Sequence, residues 1–116
     1  RELDWTFYGL GIARLSLNQL RLAKADFKKA IELAIRKYKN QTDNAKNIFN
    51  LALYYLADDQ VELSKRAYQM GLKQCTKEPI VRAAAQDLKE FLKIFPGHPQ
   101  GIVFYNRLCN SLEHQH

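Results

Sequence analysis

Displaced so that Leu10 falls on Leu51, the chain lies over itself. At that one displacement Ile12 and Leu15 fall on Leu53 and Leu56, and Leu20, Leu22 and Ile31 fall on Val61, Leu63 and Leu72. Phe27 meets Tyr68, Ala30 meets Gly71, and the polar Asn18 meets Asp59; the last two read as caps. A fixed period of this length marks one supersecondary unit used more than once. Such a unit cannot bury its apolar face alone and needs a neighbour stacked on it. The 116 residues hold two copies and a remainder of similar size.

Helical spacing of apolar residues runs through nearly the whole chain, and strand-type alternation between turn signals is missing. The spacing predicts helices over about Leu3–Leu17, Gln19–Lys39, Asn44–Ala57, a fourth ending near Gln74, Pro79–Phe95 and Gln100–Leu112. Asp59 with Glu62 three residues on has the form of a capping box opening the fourth helix. Pro79 suits a first helical turn, and Pro96-Gly97-His98-Pro99 is a break. Connections this short predict antiparallel hairpins.

Within each copy the residues fall in a recognisable order. The first reads Phe7-x2-Leu10-Gly11-x2-Arg14, then Ala23-x3-Phe27 and Ala30; the second reads Ile48-x2-Leu51-Ala52-x2-Tyr55, then Ser64-x3-Tyr68 and Gly71. This order resembles the tetratricopeptide repeat. The departures are Arg14 in place of a tyrosine, Ile48 in place of a tryptophan, and Ile35 and Thr76 in place of a proline. The usual period is 34, and this one is longer by seven. The surplus adds two helical turns and preserves facing, with a drift of only ~20°. That length, with Asn50-Leu51-Ala52-Leu53-Tyr54-Tyr55, is similar to the kinesin-light-chain-like branch of the family.

The resemblance implies an all-α helical-repeat solenoid, with three antiparallel helix pairs in a right-handed superhelix. One domain would fill residues 1–116: a repeat over 4–40, a second over 45–77 and a degenerate capping pair over 78–113. Gly11 and Ala52 would allow close helix approach, Ala23 and Ser64 would face them, and Phe27 and Tyr68 would fill the gap to the next pair.

In the first helix two apolar stripes compete. Phe7, Leu10, Gly11 and Arg14 read as the packing stripe, and Trp5, Tyr8, Ile12 and Leu15 as a second one. In tetratricopeptide arrays the first helices line a concave groove that holds ligands. The resemblance therefore assigns Trp5, Tyr8, Ile12, Lys46, Phe49 and Leu53 to a peptide-binding groove, joined by Arg82, Gln86 and Lys89. The competing reading makes Ile12, Leu15, Leu53 and Leu56 core between pairs. Relatives that clamp a terminal carboxylate use Lys and Asn at positions held here by Tyr8, Ile12 and Leu53, so apolar or aromatic anchors are expected instead, with acidic flanks for Lys46 and Arg82.

The net charge of +6 and a pI near 9.4 favour acidic partners. Lys24, Lys28, Lys29, Arg36, Lys37 and Lys39 crowd the second helix, which keeps a nucleic-acid-binding array as the alternative function. Cys75 and Cys109 form no CxxC, and His98, His114 and His116 lie late in the chain, so no zinc spacing exists. Two reduced thiols in a cytoplasmic setting are expected. No nucleophile–base–orienter set can be assembled, and Gly9 and Gly11 sit inside a helix rather than in a phosphate loop. No apolar run reaches the ~18 residues of a membrane helix. The expectation is an interaction module, part of a larger protein, with no enzymatic activity and no cofactor or metal.

Overall fold

A computed structural model describes residues 3–40, 44–74 and 77–113. They form six helices: α1 Leu3–Ser16, α2 Leu20–Asn40, α3 Ala45–Ala57, α4 Val61–Gln74, α5 Glu78–Ile94 and α6 Pro99–Glu113. No strand occurs among the described residues. The all-helical class and all six segments agree with the sequence reading to within a few residues. None of these helices is long and apolar enough to cross a membrane.

The turns inside the first two pairs are copies of each other. After α1, Asn18 takes φ 62°, its N–H donates to the Leu15 carbonyl at 3.0 Å, and the Gln19 N–H donates to Arg14 at 2.8 Å. After α3, Asp59 takes φ 62°, its N–H donates to Leu56 at 3.1 Å, and the Gln60 N–H donates to Tyr55 at 2.9 Å. This is the left-handed helix ending that satisfies the last carbonyls. Asn and Asp are the non-glycine residues that tolerate it best. Asp59 therefore closes α3 rather than capping α4, which corrects the capping-box reading. The Gln19 and Gln60 carbonyls open the next helices by accepting from Ala23 and Ser64, each at 3.0 Å.

Other ends follow their local chemistry. The Asn44 side chain accepts from the Asn47 N–H at 3.4 Å, Pro79 lies in the first turn of α5, and His98 Nδ1 accepts from the Gly101 N–H at 3.1 Å. His98 thus caps α6 and rests edge-on against Phe91, with ring centroids 5.4 Å apart.

Helices pair as α1 with α2, α3 with α4 and α5 with α6. Ala23 and Ser64 are buried at the paired faces, and the Ser64 hydroxyl donates to the Ala52 carbonyl at 2.7 Å. Phe27 packs inside its own pair, 6.3 Å from Tyr8, and Tyr68 does the same, 6.3 Å from Phe49. Tyr68 also reaches the next pair, where Phe104 lies 5.3 Å away. The two junctions between pairs differ. The second pair meets the first mainly through α3 against α2, whereas the third seats α5 on α3 and α6 on α4.

Among the described residues three acidic side chains are buried, and each has a cationic partner from another helix. Asp4 accepts from Lys37 and, at 2.6 Å, from the Tyr54 hydroxyl. Asp26 accepts from Arg14 Nη1 at 3.0 and 3.1 Å. Asp58 accepts from Lys24 at 3.3 Å and from Gln60 at 2.7 Å. Arg14 thus ties α1 to α2 by charge. Breaking such a pair by removing one partner leaves a charge in low dielectric and is far costlier than losing a surface pair.

Candidate functional site

α1, α3 and α5 together form one face, and it carries two adjoining clefts. The first, of about 270 Å³, lies between Trp5, Tyr8, Gly9 and Ile12 of α1 and Asp87, Glu90, Phe91, Lys93 and Ile94 of α5. The second, of about 220 Å³, lies between Lys46, Phe49 and Asn50 of α3 and Pro79, Ile80, Ala83, Ala84 and Asp87 of α5. Asp87 lines both and stands where they meet.

The floor of the first cleft is aromatic. Trp5 and Tyr8 are 5.0 Å apart, Tyr8 and Tyr54 5.3 Å, and Trp5 and Tyr54 6.4 Å, all tilted. Beneath them the Asp4–Lys37–Tyr54 cluster joins α1, α2 and α3, so the floor is held by charge-assisted hydrogen bonds as well as packing. Burial raises the Asp4 pKa, but the hydrogen bonds from Lys37 and Tyr54 and the Lys37 charge outweigh it and leave the carboxyl below its ordinary value. Burial, and then the nearby Asp87 carboxylate, push the Tyr8 phenol far above the usual tyrosine range. It remains a neutral donor at any physiological pH.

The nine residues assigned to the groove separate into three groups. Trp5 and Lys46 line the clefts and are half-buried and exposed, respectively. Tyr8, Ile12 and Phe49 also line them but are buried, and Leu53 is core. Arg82, Gln86 and Lys89 are exposed and line neither cleft. They stand on the flank of α5 beside the clefts, one turn from residues that line them: Gln86 is four residues from Glu90, and Lys89 four from Lys93. Arg82 is paired with Glu78, and Gln86 donates to Glu90 at 2.9 Å.

The cleft-lining residues of α5 were within reach of the sequence. The displacement that carries Leu10 onto Leu51 also carries Lys46, Phe49 and Leu53 onto Asp87, Glu90 and Ile94. One further step of the internal register lands on them. The stripe expected to pack also differs: on α1 the buried residues are Asp4, Tyr8, Gly11 and Ile12, while Phe7 is half-buried and Leu10 exposed.

Part of the basic crowd on α2 is engaged in ion pairs. Lys24 pairs with Asp58, Lys29 and Arg36 with Glu32, and Lys37 with Asp4. A phosphate-binding strip needs cations free to replace counter-ions. A third cleft, of about 240 Å³, shares no residue with the first two and lies at the seam of α2, α3 and α4, where the Tyr38 hydroxyl donates to the Met70 sulfur at 3.6 Å.

Among the described residues no cluster of three or more His, Cys, Asp or Glu is placed to hold a metal ion. Cys109 is a half-buried free thiol; Cys75, Thr76, His114 and His116 lie outside the described residues. Comparison with protein-family models, with curated proteins and with solved structures gives no match.

Proposed function

We propose that the chain is a protein-interaction module of tetratricopeptide type, and that its α1–α3–α5 face takes a short segment of a partner protein. The observation that carries this reading is the pair of apolar clefts side by side, each floored by an aromatic ring, Tyr8 in one and Phe49 in the other. These rings hold equivalent places in the two copies of the repeat. Two clefts in a row suit a segment that offers two apolar side chains with a polar stretch between them. Asp87 at the meeting point favours a donor or a cation on that stretch, and Lys46 favours an acidic residue beyond the second anchor. Arg82 lies outside the clefts, so in this reading the acidic flank is placed at Lys46.

Tyr8 and Phe49 shape the floor from within the core, so truncating them would damage the fold as well as the surface. The rim tests the reading better. A random peptide library selected on the immobilised chain is expected to yield sequences with two apolar anchors. These should lose at least tenfold in affinity for Ile94→Glu and Asp87→Lys, read by the emission of Trp5, the single tryptophan. Selected peptides that bind both variants as well as the parent chain would contradict the assignment.

A further inference from the structure

The groove leaves one large apolar surface of the molecule unexplained. Leu3, Phe7, Leu10, Arg14 and Leu17 follow the spacing i, i+4, i+7, i+11, i+14 and share one side of α1 and its end. Leu3 is 59% exposed, Leu10 41% and Leu17 69%, and Leu20 at the start of α2 adds 58%. The opposite side of α1, with Tyr8, Gly11 and Ile12, is buried against the rest of the protein. A helix that is apolar all round is the pattern of one covered on both sides. Exposed leucines lined up along one side of a helix are a patch, not the scattered apolar residues of an ordinary surface.

The chain itself contains a covered version of this surface. In the internal register Phe7, Leu10 and Arg14 correspond to Ile48, Leu51 and Tyr55 of α3. Those three line a cleft with Tyr38 of α2 and with Leu63, Arg66, Ala67 and Met70 of α4, and Lys24 of α2 reaches Asp58, the counterpart of Leu17. We infer that the outer face of α1 docks the second helix of a further antiparallel helix pair, joined ahead of Leu3 in the same register. The equivalence specifies the occupant. It runs antiparallel to α1, as α2 does to α3. It carries an apolar stripe with the i, i+4, i+7 spacing of Ile31, Ile35 and Tyr38. Opposite Leu17 it places an apolar side chain instead of a lysine.

A second copy of the chain fits less well. α1 has 14 residues, about 21 Å of helix, and one such face falls short of the ~800 Å² per partner of a stable interface. A pair joined in sequence needs far less contact, because tethering supplies a high effective concentration. The inference rests on the internal register and the exposed leucines, and stands or falls independently of what the groove binds.

The test adds a copy of residues 3–43 directly ahead of Leu3 in the full chain. In a stacked array the stability is a sum of unit and interface contributions. The extended protein should therefore unfold in one cooperative transition, with a midpoint several degrees above that of the parent chain. Leu10→Glu in the original α1 should abolish that gain, yet barely move the midpoint of the unextended chain, where the residue is exposed. A separate low-temperature transition for the added pair, or no gain at all, would overturn the inference. So would a Leu10→Glu effect of equal size in both proteins. Sedimentation of the unextended chain should show a monomer; a dimer that Leu10→Glu dissociates would make a second copy the occupant and overturn it equally.

Discussion

Gly11 lies so close under the ring of Phe27 that a β-carbon built on it would stand 2.5 Å from that ring. The second pair repeats the contact with the roles exchanged: a β-carbon built on Gly71, on α4, would stand the same 2.5 Å from the ring of Phe49 of α3. In the internal register Gly11 corresponds to Ala52 and Ala30 to Gly71, so the two copies swap which helix carries the glycine. The ring of Phe49, which floors the second cleft, is held by this contact, and Phe27 in turn supports Tyr8 in the first. The groove and the core thus share one packing arrangement.

Gly11→Ala and Gly71→Ala should each destabilise the fold by about 1–3 kcal/mol, the usual cost of overpacking a filled core. Gly9 provides the control. It lies inside the same helix as Gly11 with open space where its β-carbon would go, so Gly9→Ala should gain about 0.5–1 kcal/mol from helix propensity alone. Urea denaturation of the three variants measures both signs. A stabilised Gly11→Ala would show that the ring of Phe27 moves freely.

The helix endings offer a second comparison. Asn18 and Asp59 both hold φ 62°, a conformation that costs an ordinary side chain about 1–2 kcal/mol. Asn18→Gly and Asp59→Gly should each raise the thermal midpoint, and Asn18→Val should lower it. The two glycine variants should act additively, since the turns belong to different pairs.

Acid sensitivity should come in good part from Asp4. Its folded pKa lies below its unfolded value, so its ionised form stabilises the protein above the unfolded pKa of about 4. That stability is lost as the pH falls through the folded value. Asp4→Asn should therefore lower stability at pH 7 and flatten the loss below about pH 4. Tyr54→Phe leaves one carboxylate oxygen short of a buried donor and should cost about 1–3 kcal/mol. Unfolding followed against pH checks both, and an acid limb of Asp4→Asn that superimposes on the parent chain would contradict the assignment.

Local features were legible in the sequence and distant pairings were not. Helix ends could be read because Pro79, the Pro96–Pro99 break and the polar residue at Asn18 act on their immediate neighbours. The buried pairings of Asp4, Asp26 and Asp58 were not legible: nothing near Asp4 in sequence announces Lys37 or Tyr54, more than thirty residues away. On α1 both stripes are apolar, so composition could not say whether Leu10 or Tyr8 points inward. The packing of Tyr8 on Phe27 of α2 and Tyr54 of α3 decides it. On α5 the cleft-lining Asp87, Glu90 and Ile94 were readable, but only by carrying the internal displacement one step further.

Ala23 and Ser64 test the pairing itself. Both are buried where the helices of a pair meet, so Ala23→Leu and Ser64→Leu should each cost about 1–3 kcal/mol. Ser64→Ala should cost about 1 kcal/mol, for the hydrogen bond to the Ala52 carbonyl. Unchanged denaturation midpoints for both leucine variants would mean that the paired faces are elsewhere.

The groove is tested most directly by amide chemical shifts. A library-selected peptide should be titrated into the ¹⁵N-labelled chain while every amide is followed. Shifts are expected to concentrate at Trp5, Gly9, Lys46, Asn50, Ala83, Asp87 and Ile94, with α2 and α6 little changed. Shifts concentrated on α2 around Lys28, with the α1–α3–α5 face silent, would contradict it.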